Sequence, residues 1–165
     1  MLIILRHGQA ESFAAEDHIR RLTDRGRRTS LATGEWLARR GMVPTHAFVS
    51  SAVRAQETWE AVVEGSGAAT DTRILDAVYS ADADTSVDLL RTAPPDAQVV
   101  ILVGHNPTAA SLAYLLDDGD PDPNAFRGLA RGYPPGALAV LEVAVPWAEL
   151  GPATGHLAAF HVSKA

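Results

Sequence analysis

The stretch QVVILVGHNP, residues 98–107, runs apolar and β-branched to Val103 and then stops at Gly104-His105-Asn106-Pro107. An apolar run without polar alternation reads as a strand covered on both faces, as in a parallel sheet. Asn106 before Pro107 predicts a helix N-cap with proline at the first helical position, and a helix over 107–116. A strand, a polar tip and a helix in that order make one unit of an α/β fold.

The same pattern repeats outward. Leu2–Leu5 is a short buried strand that ends in Arg6-His7-Gly8. Thr23 to about Arg40 reads as a helix, ended by Gly41 with Pro44 beyond. His46–Val49 is a second short strand, followed by a helix from Ala52 to Glu64 that is broken at Gly65-Ser66-Gly67. Thr72–Leu75 reads as a brief strand and Thr85–Arg91 as a helix stopped by Pro94-Pro95. Residues 117–136, rich in Asp, Gly and Pro, read as one long loop. Ala137–Val143 and His156–Val162 are two closing strands expected to pair antiparallel. The expectation is an α/β fold, a three-layer sandwich with a mainly parallel central sheet flanked by helices, in a single domain over 1–165.

With 47% apolar and 21% charged residues the composition is that of a soluble globular protein. A net charge of −6 argues against nucleic acid or an anionic membrane as a general partner. Arginines crowd residues 20–28 and aspartates crowd 117–122, which read first as solvated surfaces. The absence of cysteine excludes disulfides, thiolate metal sites and a cysteine nucleophile. The four apolar residues after Met1 have no basic stretch before them and are not expected to act as a signal peptide. No segment approaches transmembrane length, and a cytoplasmic protein is the expectation.

In open α/β sheets, ligands bind beyond the carboxyl ends of the strands. That rule gathers Arg6 and His7 from the first strand, Ser50, Ser51 and Arg54 from the second, and Gly104, His105 and Asn106 from the strongest one. Each is ordinary alone: His7-Gly8 is a turn, Gly104–Pro107 a helix cap, Arg54 a surface arginine. Together they suit a phosphoryl group. Arginine presents a rigid fork to phosphate oxygens, and a neutral imidazole can attack phosphorus. A cation in the first turn of a helix opposes the dipole, so Arg54 makes sense beside an anion. The G-x-x-x-x-G-K-[ST] loop of nucleotide sites is absent, as is a carboxylate pair with metal-like spacing. His18, His46, His156 and His161 read as loop and strand residues, with no metal site expected from them.

Arg6-His7-Gly8, Arg20-Arg21-Leu22-Thr23-x-x-Gly26, Ser50-x-x-x-Arg54-Ala55-x-x-Thr58 and Gly104-His105-Asn106-Pro107 resemble the histidine phosphatase superfamily in order and spacing. The short length and the Ile-Arg-Arg-Leu-Thr stretch look most like its small phosphohistidine phosphatase branch, the SixA type, with a phosphoglycerate mutase-like fold. The resemblance implies His7 as the nucleophile, Arg6 and Arg54 on the phosphoryl oxygens, and His105 completing the pocket. It implies further phosphate contacts from Arg20, Gly8 and the Asn106 backbone, and no metal or organic cofactor.

Two departures bear on the substrate. Where one branch carries an acidic proton donor after the second histidine, this chain has Asn106. Where the mutase-like branch places a glutamate, it has Ala77, with Asp76 one residue away as a candidate donor. An alkoxide leaving from a phosphate ester needs a proton, and such a donor contributes about 10²–10⁴-fold. Imidazole leaves more easily, its conjugate acid having a pKa of roughly 6.5. The leading expectation is therefore a phosphatase acting on protein phosphohistidine, with a phosphorylated protein domain as partner. The alternatives are a phosphatase for a small metabolite ester, with Asp76, Glu11 or Glu16 as acid, and a non-catalytic phosphate-binding module. The loop at 117–136, with Arg127 and Arg131, is a candidate rim for a protein substrate.

Overall fold

The computed structural model of the protein describes residues 1–165. Its strands are β1 (Leu2–Arg6), β2 (His46–Ser50), β3 (Asp71–Leu75), β4 (Val100–Gly104), β5 (Ala137–Val143) and β6 (Gly155–Val162). They form one sheet in the order β3-β2-β4-β1-β5-β6. The first four in that order run parallel, while β5 is antiparallel to β1 and β6 to β5. This is the α/β, mainly parallel, helix-flanked architecture expected, with the two closing strands paired antiparallel as read.

Alternation along the strands builds two cores. Leu2, Ile4, Phe48, Val100 and Leu102 face one side of the sheet, and Ile3, Leu5, Val49, Ile101 and Val103 face the other. Helices α1 (Asp24–Arg39) and α2 (Val53–Ser66) cover the second face through Leu37, Trp59 and Val62. Helices α3 (Asp76–Ser80), α4 (Ala83–Leu90), α5 (Thr108–Leu116) and α6 (Pro123–Ala130) cover the first. Each fully buried Leu or Ile contributes about 1.5–3 kcal/mol, so a strand buried on both faces, such as β1 or β4, anchors both layers. Helices α1 and α2 approach backbone to backbone. A Cβ on Gly34 would lie 2.2 Å from the Val62 carbonyl oxygen, and one on Gly65 would lie 2.1 Å from that of Leu31.

The structure differs from the sequence reading in four places. Residues 117–136 are not all loop, because α6 lies among them. Asp122 caps it by accepting from the Asn124 and Ala125 N–H groups, Pro123 stands in the first turn, and Ala125 and Leu129 are buried. The Asp and Pro that suggested a loop here start a helix. Gly65 and Ser66 do not break α2, which ends at left-handed Gly67. A short helix not anticipated, α3, begins at Asp76 directly after β3. Pro107 is itself the N-cap residue of α5, one place later than read, and Asn106 precedes it. The Asn106 side chain still accepts from a helical N–H, that of Ala110 at 3.3 Å.

Candidate active site

Register places the site. In the β1–β4 pairing Arg6 stands opposite Gly104, and the His7 N–H donates to the Gly104 carbonyl at 2.9 Å. His7 and His105 therefore leave neighbouring parallel strands at the same sheet edge, with ring centroids 5.2 Å apart. Beside them β2 ends at Ser50, and α2 begins three residues on with Val53, which puts Arg54 in its first turn.

Buried Arg54 holds the cluster together. Its Nε donates to His7 Nε2 at 3.3 Å, and its Nη2 lies 3.4 Å from His105 Nδ1. A guanidinium can only donate, so His7 Nε2 carries the lone pair and Nδ1 the proton, which goes to the Gly8 carbonyl at 2.8 Å. The same reasoning makes His105 Nδ1 an acceptor, with Nε2–H donating to Ser50 Oγ at 2.7 Å. Thr58 ties the loop after β1 to α2: its hydroxyl accepts from the Gly8 N–H at 2.9 Å and donates to the Arg54 carbonyl at 2.7 Å.

Both imidazoles are neutral near pH 7. Burial first, and then the charges of His105, Arg54 and Arg6, push His7 down to about 3 against the pull of its Gly8 bond. Burial and Arg54 push His105 down to about 4. Arg6 donates from Nη1 to the Tyr133 carbonyl at 2.8 Å, and Asn106 Nδ2 donates to the same oxygen at 3.1 Å. The Arg6 Nε is buried without a protein partner. A buried donor in that state is costly unless something accepts from it. Two cationic forks and two neutral imidazoles around one strand edge form an anion-stabilising arrangement.

Three side chains that the sequence reading did not single out complete the cluster. The Asp17 carboxylate accepts from Arg54 Nη2 at 3.0 Å, from Arg20 Nε at 3.0 Å and from the Tyr79 hydroxyl at 2.6 Å, and its backbone carbonyl accepts from Arg54 Nη1 at 2.8 Å. Tyr79, with the two arginines behind it, holds that carboxyl well below the usual carboxylate range, and Asp17 in turn raises the phenol. His18 bonds Ser51 at 2.9 Å and stacks on Tyr79 at 4.8 Å. The only sequence signal was that Asp17 lies three residues before Arg20. Tyr79 carried none, because its position depends on the turn from β3 into α3.

Of the sequence candidates, His7, Arg54 and His105 touch one another, and Arg6 is near enough for its charge to lower both imidazoles. Arg20 reaches the cluster through Asp17 rather than directly. Gly8 packs under it, where a Cβ would meet Ser30 Oγ at 2.8 Å. Asp76 is exposed at the start of α3 and makes no hydrogen bond to these groups; Tyr79, three residues on, faces them instead. No three His, Asp or Glu side chains converge as a metal site. A cavity of about 230 Å³ lies against Tyr79, His105 and Asn106. A larger one, about 490 Å³, is lined by Glu11, Arg21, Arg27, Glu57 and Glu60 and includes none of the cluster.

Comparison with known proteins bears on this arrangement. Residues 2–78 match the family model of the histidine phosphatase superfamily (branch 1). An uncharacterized protein of Mycobacterium leprae is 30% identical over 148 residues, 90% of this chain and 89% of its own. The chain belongs to the histidine phosphatase superfamily. A SixA-type structure from Nakamurella multipartitia superposes with a TM-score of 0.86 at 32% identity, covering 99% of this chain and 96% of that one. A second from Agrobacterium tumefaciens gives 0.80 at 26%, over 97% and 96%. Superfamily membership makes the protein a phosphatase-type hydrolase with a phosphoglycerate mutase-like fold. No helix in it is long and apolar enough to cross a membrane.

Proposed function

We propose that the protein is a phosphohistidine phosphatase that carries the phosphoryl group on His7 Nε2. The observation that carries this reading is the fixed tautomer of a buried, neutral imidazole, with Nδ1 tied to the Gly8 carbonyl and Nε2 facing Arg54. In the first half-reaction Nε2 attacks phosphorus, and the charge on the equatorial oxygens is met by Arg54 through its Nε and Nη2 edge and by Arg6. An anion among these groups reverses the electrostatics at His105. Its Nδ1 takes up a proton and donates to a phosphoryl oxygen. In the second half-reaction water displaces His7 and releases inorganic phosphate.

Support for a P–N substrate comes from the carboxylates. Glu11, Glu16 and Asp76 are exposed and none of their side chains bonds the cluster, while Asp17 is held ionised. An ester substrate would need a positioned acid. The SixA-type relatives point the same way.

The test is to mix the protein with a phosphohistidine peptide, quench within the first turnover, and look for acid-labile, base-stable phosphate on His7. A kcat/KM higher for metabolite esters than for the peptide overturns the substrate, and label absent from His7 overturns the nucleophile.

A further inference from the structure

The Arg54 guanidinium has an inner edge and an outer end. Nε meets His7, and Nη2 spans His105 and the Asp17 carboxylate, while Nη1 meets the Asp17 carbonyl. The Arg54 side chain is 6% exposed and that of Asp17 is 53%. Asp17 therefore marks the solvent side of the phosphoryl-binding groups. Displacement at phosphorus is in line, so a leaving group departs away from His7, towards solvent. Beside Asp17 stand the stacked rings of Tyr79 and His18, with Tyr79 5.5 Å from His105.

We infer that Asp17 is a specificity-determining residue, whose carboxylate receives the ring N–H of a leaving imidazole and so selects N-phosphorylated imidazoles over phosphate esters. This deepens the reading of His7 as nucleophile and rests on it. A phosphoimidazole protonated on its distal nitrogen is a planar cation, suited to a carboxylate that stands beside aromatic rings. When His7 Nε2 bonds to phosphorus, the P–N bond breaks and its electron pair stays on the leaving nitrogen. The ring departs as neutral imidazole, keeping its distal proton. No proton has to be delivered. An ester places developing negative charge on its leaving oxygen instead, and an ionised carboxylate has no proton to give it.

The charged and titratable groups facing Asp17 are Arg20 from its own loop, Arg54 from α2, Tyr79 from α3 and His105 beyond β4. Tyr79 donates to the carboxylate and leaves its charge in place.

The experiment compares kcat/KM for N-phosphoimidazole and for p-nitrophenyl phosphate in the wild type, Asp17→Asn and Asp17→Glu. In Asp17→Asn the ratio of the two falls about tenfold against N-phosphoimidazole, the scale of one lost charge-assisted hydrogen bond. Asp17→Glu keeps the carboxylate and holds the ratio within about threefold of wild type. The alkaline limb of kcat on N-phosphoimidazole also moves down by about one pH unit in Asp17→Asn, because the protonated ring loses its counter-charge. Equal losses on both substrates in Asp17→Asn mean that Asp17 only holds Arg54, and this overturns the inference alone. A wild type that turns over only the ester overturns both the inference and the phosphohistidine substrate, leaving the His7 nucleophile to the labelling test.

Discussion

His7 Nε2 lies 3.3 Å from Arg54 Nε, although 47 residues separate the two in the chain. That contact decides which nitrogen of the buried ring is free to react, because the guanidinium can only donate. It also places the positive charge that helps hold the ring neutral beside the atom a phosphoryl group would join.

Removing the ring separates chemistry from binding. His7→Ala abolishes turnover but leaves Arg6, Arg54 and His105 in place. Phosphate or tungstate affinity by calorimetry stays within about tenfold of wild type, roughly 1.4 kcal/mol. Wild-type kcat in this variant means that another group is the nucleophile.

Arg54 is expected to damage both. Arg54→Lys keeps a charge but loses the fork that spans His7, His105 and Asp17. The expected loss in kcat/KM is about 10²-fold or more, with weaker phosphate binding alongside. A Lys variant within threefold of wild type would show that the fork geometry is irrelevant.

Stability should fall on mild acidification. Above pH 6.5 the two imidazoles are neutral in both states and contribute nothing to the slope. Between 6.5 and about 4 the unfolded chain binds protons that His7 and His105, lowered to about 3 and about 4, refuse in the fold. The unfolded state then holds more protons, so stability drops as pH falls, by up to about 1.4 kcal/mol per pH unit for each histidine. Urea melts at pH 7, 6, 5 and 4 read the slope. His7→Asn should make it shallower, and an unchanged slope places the titration elsewhere.

The seam between α1 and α2 should tolerate no side chain at its closest points. Gly34→Ala puts a methyl 2.2 Å from the Val62 carbonyl oxygen, so the helices must move apart. The expected cost is about 1–3 kcal/mol or more, read from the denaturation midpoint. Because α2 carries Arg54 and Thr58, phosphate affinity should weaken in parallel.

Much of the fold was legible because the strands are strongly patterned. Apolar runs such as Leu2–Leu5 and Val100–Val103 read as strands covered on both faces, the strand starting at Val100 rather than at exposed Gln98, and their spacing with helices implies a parallel sheet. The helix α6 was hidden because its start consists of turn residues, and only the burial of Ala125 and Leu129 against the core makes it a helix. α3 was hidden because it is one short turn following a strand.

By itself the sequence determined the order of the six strands and of helices α1, α2, α4 and α5, and the polar residues that each strand end delivers, because hydrophobic period and helix-start chemistry are local. Only the tertiary structure decided that Asp17 and Tyr79 join Arg54, which tautomer His7 adopts, and how far its proton affinity drops. Those properties depend on burial and on charges brought together across dozens of residues, and no local pattern encodes a distance of that kind.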